Sequence, residues 1–426
     1  MSANTPSDPY VAWRNRSYRF YAVSWFLMAF SKQVEMVAIR FLVYAWTADQ
    51  LALGWLGLIQ AAPVILLAIP GGQLADRVDR RGVVVGTLAA SALVSLGIAA
   101  AVHLSNPAQW IYLLLGAGAI SQALGGPSRS ALLPQLVSPS VFSNAVAWNS
   151  SVFQIATISG PAIGGLILVV PHGATLAFAM VAICRLLSLA AMLPVRCRPV
   201  ENAEASISLE SLMAGIHFVW NSKMILAPIT LDLFAVLVGG LTYLLPVFAV
   251  DILHAGSWGM GLLQSAEAVG AVVMTVLITH LPPMRRPGRT MLWAVAGFGV
   301  ATIIFGLSHW FWLSLLMMFC MGALDNISVV VRHTLVQILT PDAMRGRVSA
   351  VNNVFIVASN DLGGFESGLT ARLFGPVASV VGGGIGTLLV VCGATRVWPG
   401  LLSLGSLQEL RPAATVRAEE EEAVEL

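Results

Sequence analysis

Ionisable side chains stand inside long apolar stretches of this chain, among them Lys32, Glu35, Arg185, Asp232, Glu267, Asp325, Asp361 and Glu366. A charge at the centre of a bilayer costs at least about 2.5–3.5 kcal/mol, so such groups face a protein interior or a wet cavity and either pair or serve a transport path. Burial favours the protonated form of a carboxyl group and a nearby cation favours the ionised form. A carboxylate whose access changes can therefore load and release a proton. Lys32 and Glu35 stand three apart, on one face of a helix. They can neutralise one another or line a cavity. Arg40, nearer the end of the same stretch, is expected to snorkel toward the membrane surface.

The elements that position these residues are apolar. The chain has 426 residues, 57% hydrophobic and 10% charged, against about 25% charged in soluble domains. Its mean hydropathy of +0.81 excludes a soluble enzyme with one anchor. A spanning helix needs about 20 apolar residues, and twelve candidate spans follow: 18–46, 51–74, 83–104, 109–132, 142–169, 173–194, 225–250, 258–281, 289–307, 311–336, 347–372 and 376–400. Arg14, Arg16 and Arg19 precede the first, which runs too long for a signal peptide and lacks a cleavage site, so it reads as a retained helix. The four cysteines, Cys184, Cys197, Cys320 and Cys392, show no paired or metal-like spacing and read as single thiols. No metal and no cofactor is expected.

Lys and Arg set the orientation. One set of connections carries Arg77, Arg80 and Arg81, then Arg129, then Arg196, Arg198 and Lys223, then Arg285, Arg286 and Arg289, then Arg345 and Arg347. The alternate connections carry almost none, with Arg372 the exception. Both termini are then cytoplasmic. The expected organisation is an N-terminal six-helix bundle over 1–195, a cytoplasmic linker over 196–224, a C-terminal six-helix bundle over 225–404 and a cytoplasmic tail over 405–426. Within the linker, Leu209, Leu212, Met213, Ile216 and Val219 recur at helical spacing, with Ser206 or Ser208 able to cap. They predict an amphipathic helix on the cytoplasmic surface. The tail, with Glu419 to Glu422, reads as a solvated end.

Three motifs lie on this frame. Gly71-Gly72-Gln73-Leu74-Ala75-Asp76-Arg77-Val78-Asp79-Arg80-Arg81-Gly82 fills the turn between the second and third spans. In span 5, Gly160-Pro161-Ala162-Ile163-Gly164-Gly165 combines a kinking proline with close-packing glycines. Arg129 to Pro139 repeats as Arg332 to Pro341 with one residue deleted, both at the inner end of the fourth span of a half. Parallel repeats of this kind build alternating-access transporters.

The first motif, read as Gly72 to Arg81, resembles the loop between helices 2 and 3 of the major facilitator superfamily. The second resembles the helix 5 signature of that superfamily's antiporters and exporters, with Ala156 where a glycine is expected. The resemblance covers essentially the whole chain. With Asp232 and the segment Thr340 to Arg347, it is similar to the branch of enterobactin exporters and macrolide-efflux-type proteins. It implies an all-α polytopic membrane protein with twelve transmembrane helices in two pseudo-symmetric six-helix bundles. It further implies a proton-coupled exporter of small amphiphilic compounds in a bacterial inner membrane. The partners are then a small-molecule substrate, protons and the bilayer, with no nucleic acid and a monomeric chain. Gly72, Asp76, Arg77, Arg80, Arg81 and Arg129 are expected to form a conformational latch, with the Asp76 carboxylate at the helix dipole near Arg345 to Ser349. Many of the superfamily's drug/proton antiporters carry an arginine inside helix 4, whereas Arg129 comes at the cytoplasmic end.

Since span 7 corresponds to span 1, Glu35 and Asp232 are the preferred coupling residues, ahead of Glu267, Asp325, Asp361 and Glu366. Arg185 and Lys32 join them as cavity candidates. An importer or facilitator is the alternative on the same scaffold. An embedded enzyme is disfavoured because no His-Glu-x-x-His or Gly-x-Ser-x-Gly appears, and the chain is not read as an enzyme. No filter-like repeat supports a channel, and no Gly-x-x-x-x-Gly-Lys-Ser/Thr loop supports a nucleotide-driven pump.

Overall fold

The computed structural model describes residues 8–104, 108–197, 209–282 and 284–402. Among them no strand forms. In hydrocarbon each backbone polar group must be satisfied within the chain, and a helix does this locally. The order is α1 (Arg16–Thr47), α2 (Gln50–Arg77), α3 (Arg80–His103), α4 (Ala108–Leu136), α5 (Pro139–Ile167) and α6 (Gly173–Met192). The short α7 (Leu209–Asn221) leads into α8 (Lys223–Val238) and a broken stretch containing the single turn α9 (Leu245–Val247). Then come α10 (Gly256–His280), α11 (Pro287–Leu307), α12 (Phe311–Leu339), α13 (Asp342–Phe374) and α14 (Pro376–Val397).

Among the described residues, nine helices are both long and apolar enough to cross a membrane, where the sequence suggests twelve spans. The three long helices outside that set are α1, α4 and α13. Lys32, Glu35 and Arg40 dilute α1, and Asp361, Glu366 and Arg372 dilute α13. Gly, Ser, Gln and Pro do the same in α4. At 32, 29 and 33 residues all three exceed the ~20 residues that a crossing needs.

Local chemistry sets the turns. The Asp79 carboxylate accepts from the Gly82 N–H at 2.8 Å and caps α3. Proline opens α5, α11 and α14, where its missing N–H costs no hydrogen bond. Gly375, between α13 and α14, has φ of 89°, which an L side chain adopts only with strain.

The contacts divide the chain into two compact units, residues 1–39 with 66–206, and residues 40–65 with 207–426. In the first, Tyr18, Val84, Leu88, Leu132, Ala145 and Met192 form one buried cluster. The Tyr18 hydroxyl donates to the Ala145 carbonyl at 3.0 Å. Ser24 and Ser188 each donate to the other's carbonyl, at 2.9 and 2.8 Å, tying α1 to α6. The glycines of the α5 motif lie against α1. A Cβ on Gly160 would stand 2.5 Å from the Gln33 Cβ, and one on Gly164 3.3 Å from the Val34 Cα.

In the second unit α10 and α12 pack at backbone distance. A Cβ on Gly322 would collide with the Glu267 carbonyl, and one on Gly270 with that of Phe319. The segment 40–65 joins this unit through Gly54 and Gly57 of α2, whose backbones press on Phe365, Gly368 and Asp361 of α13. The linker helix α7 exposes Met213 and Trp220. Its Ile216 and Val219 pack with Ile225, Val336 and Val348, so this side of the helix meets α8, α12 and α13. Ser206, Ser208 and the tail 405–426 lie outside the described residues.

These seams predict a sharp contrast. Gly57→Val forces a side chain into the Asp361 backbone and should cost about 1–3 kcal/mol by overpacking. Gly86→Ala, with nothing within 4 Å of the added methyl, should leave stability unchanged or slightly raised. Thermal unfolding of the two purified variants in detergent checks this, and equal melting temperatures would remove the seam's importance.

Candidate functional site

Of the eight charges, Glu35 and Arg185 pair with one another, Asp232 pairs with Arg332, Glu267, Asp325 and Asp361 share a cavity, and Lys32 and Glu366 lie apart from these groups. In the first unit, Glu35 of α1 is 4% exposed and pairs with the Arg185 guanidinium of α6. Arg185 also donates to the Ser95 hydroxyl at 2.6 Å and the Ser91 carbonyl at 3.2 Å, so α3 completes its shell. Lys32 donates to the Gln122 side chain of α4 at 2.7 Å. In the second unit, Asp232 of α8 pairs with Arg332 of α12, 7% and 2% exposed.

Beside that pair lies a cavity of about 200 Å³. Asp232 and Val236 of α8, Glu267 of α10, Phe298 of α11, Asp325 and Arg332 of α12, and Asn360 and Asp361 of α13 contribute to its walls. Two further walls come from breaks in regular structure. α8 stops at Gly239-Gly240, where a Cβ on Gly240 would collide with the Gly363 carbonyl. The chain then turns through Leu241–Tyr243 and presents Tyr243, whose hydroxyl donates to Asp361 at 2.8 Å. Arg40, from the end of α1, lies over the Tyr243 ring at 4.3 Å, an attractive cation–π geometry. The expectation that Arg40 snorkels is corrected here: it is 7% exposed and lines the cavity. Among the described residues its Nε and Nη1 find no hydrogen-bond partner.

The segment carrying Arg40 is anchored by polar contacts at its tip. Tyr44 donates to Asp251, and Arg372 bridges Asp49 at 3.0 Å. The Asp49 bridge gives Arg372, the exception among the connections poor in basic residues, a local counterion. Four carboxylates and two guanidinium groups line the cavity. With Asp232 and Arg332 paired, three carboxylates, Glu267, Asp325 and Asp361, face Arg40.

Glu366 lies further along α13, where Ser367 donates to it at 3.4 Å. Of the latch candidates, Gly72 is buried and Arg77 exposed. Arg80 donates to the Ala131 carbonyl at 3.4 Å, and Arg81 to that of Leu193. The side chains of Asp76 and Arg345 lie outside the described residues. Arg129 stands over the Trp25 ring at 5.4 Å. Arg129 and Arg332 are matched by the sequence repeat yet find different partners, an indole face and a carboxylate. Tyr243, legible in the sequence as a candidate aromatic wall for a ligand, lines the cavity, whereas Arg332 and Asn360 are cavity residues that the sequence does not single out as site members. The repeat was the one signal pointing at Arg332.

The fold of this helical membrane protein is that of the major facilitator superfamily, a class of polytopic transporters. The family described as transmembrane secretion effector matches residues 7–403, and the chain belongs to it. The enterobactin exporter EntS of Citrobacter koseri is 28% identical over 347 residues, covering 80% of each chain. EntS of Shigella dysenteriae serotype 1 is 28% identical over 355 residues, again 80% of each. Among solved structures, a bacterial homolog of the human lysosomal transporter Spinster, inward-facing and occupied, superposes with a TM-score of 0.72. It is 14% identical and the match covers 93% of this chain and 99% of that one. A POT family transporter in complex with 5-aminolevulinic acid gives 0.73 at 12% identity, covering 91% and 97%.

Removing one member of a buried ion pair leaves the other charge uncompensated and typically costs 3–5 kcal/mol. Glu35→Gln and Arg185→Gln should each lower the thermal stability of the purified protein. The double variant Glu35→Gln/Arg185→Gln should recover much of the loss. Additive losses in this cycle would show that the two side chains do not act as a pair.

Proposed function

We propose that this chain is a proton-coupled exporter of small amphiphilic compounds, working by alternating access in a bacterial inner membrane with both termini cytoplasmic. The observation that carries the reading is the excess of carboxylates in the second unit's cavity. Three acids face one arginine in a poorly solvated space, and a proton or a cationic group on a ligand would relieve the excess. Tyr243 and Phe298 add aromatic surface for an amphiphile. The export direction is supported by the relatives, which are enterobactin exporters.

Coupling belongs to Glu267 and Asp325 in this reading. Glu35 and Asp232, preferred from sequence, each pair with a buried arginine, so a change in either would strand its partner. They act here as structural pair members. Asp361 is held by the Tyr243 hydroxyl and positions Tyr243 against Arg40. The chain acts as a monomer on a small-molecule substrate, and the turn from Gly72 to Arg81 serves as the latch.

The test is transport by the purified protein in proteoliposomes, with enterobactin and a panel of amphiphilic dyes as probes, with and without an imposed pH gradient. Glu267→Gln or Asp325→Asn should lower gradient-driven accumulation by about tenfold, the ratio that one coupled proton sustains across a gradient of about one pH unit. The same variants should keep substrate exchange at equal pH. Accumulation that still follows the gradient in both would remove these residues from the coupling role. Accumulation indifferent to the gradient in the unmodified protein would remove proton coupling itself.

Topology is checked separately. Reporter fusions after Ser105, His172 and Ala255 should report the periplasmic side, and fusions after Gly82 and Glu204 the cytoplasm. One reversed pair breaks the assignment of sides.

A further inference from the structure

Apart from the charged cavity, the second unit has a larger apolar recess of about 650 Å³ between α11 and α14. Its walls include Leu292, Trp293 and Ala296 of α11 and Leu388 and Val391 of α14. That volume falls within the roughly 300–1,000 Å³ of small-molecule sites. Its chemistry changes along its length. The interior is apolar, whereas Arg289 lines one end. The Arg289 Nε donates to the Leu402 carbonyl at 2.9 Å, which holds the guanidinium at that end. Arg285 and Arg286 immediately precede α11, and Arg396 follows the lining residue Thr395; all four arginines are exposed. Residues 281–300 and 387–402 contain no Asp or Glu, so neither wall supplies a counterion in sequence. Trp293 is 78% exposed at the recess, and tryptophan favours the headgroup level of a bilayer.

We propose that this recess seats one anionic phospholipid, with an acyl chain in the apolar groove and the phosphate on Arg289 and Arg396. The charge complementarity selects the occupant. Basic pockets between membrane helices bind anionic headgroups, and an apolar groove open at a basic end fits an amphiphile that carries phosphate. The site is separate from the charged cavity, with which it shares no lining residue, and it does not depend on what the protein transports.

The experiment uses the full-length protein purified in detergent and supplied with mixed dioleoyl phosphatidylglycerol and phosphatidylcholine. Retained lipids are counted by native mass spectrometry. The unmodified chain should keep one phosphatidylglycerol after the bulk lipid is stripped. Arg289→Gln with Arg396→Gln should weaken that retention by about 25-fold, taking about fivefold for each arginine near a headgroup. Ala296→Trp leaves every arginine in place and fills the groove, and it should lower retention as well. Arg289→Lys keeps the charge and should retain most of the binding, which separates loss of the site from misfolding. Equal retention of phosphatidylcholine would overturn the proposal, as would unchanged retention in both the charge and the groove variants. Binding that appears only after residues 403–426 are removed would also overturn it, because the acidic tail and not a lipid would then occupy the arginines.

Discussion

A charge taken out of water must be met by another charge or by hydrogen bonds, and the two deep ion pairs answer that constraint. Glu35–Arg185 joins α1 to α6, and Asp232–Arg332 joins α8 to α12. A buried pair is weak evidence for net stability, because desolvation offsets much of the attraction. Its stronger consequence is geometric: neither partner can leave without stranding the other. The cavity inherits its character from this arrangement. Because Asp232 takes Arg332, Arg40 is the guanidinium left to face Glu267, Asp325 and Asp361.

Helix packing brings those acids within one cavity, and glycine makes the packing possible. Without a hydrophobic drive between helices in lipid, association relies on close backbone approach. Gly322 admits the Glu267 carbonyl, Gly57 admits that of Asp361, and Gly240 admits that of Gly363. Each contact lies at or next to a segment that carries a cavity residue. The seams thus fix where the carboxylates stand, while the break after Val238 turns Tyr243 toward Asp361.

Much of this was legible in the sequence, and the limits have a physical cause. Apolar runs, the basic turns and the charges inside the runs are local properties, so the helices and the candidate residues could be read directly. Partnership is not local. Arg332 lies a hundred positions beyond Asp232, and Arg185 a hundred and fifty beyond Glu35. Periodicity says which side chains share a face, as for Lys32 and Glu35, yet those two reach toward Gln122 and Arg185 on different helices. Arg40 was read as snorkelling because its own stretch ends nearby; Tyr243, which holds it inward, is two hundred residues away. The repeat relating Arg129 to Arg332 reported an equivalent position on the backbone. It carried no information about Trp25 and Asp232, which make the two environments differ.

The distinction between paired and surplus acids bears on what a proton can do. Removing the charge of Glu35 or Asp232 would leave a buried guanidinium uncompensated, a change that costs several kcal/mol in a pair of this kind. Adding a proton to a carboxylate that already faces other carboxylates relieves repulsion instead. A coupling group must accept both states as access changes, with a modest energy difference between them. In the proposed reading Glu267 and Asp325 would meet that requirement, whereas the paired acids would not. Arg40 shares the cavity with these acids, so in the proposed reading a ligand's charge and a proton's charge would act on one balance there. Binding of one would then alter the affinity for the other through shared electrostatics, as reciprocal coupling between two ligands requires.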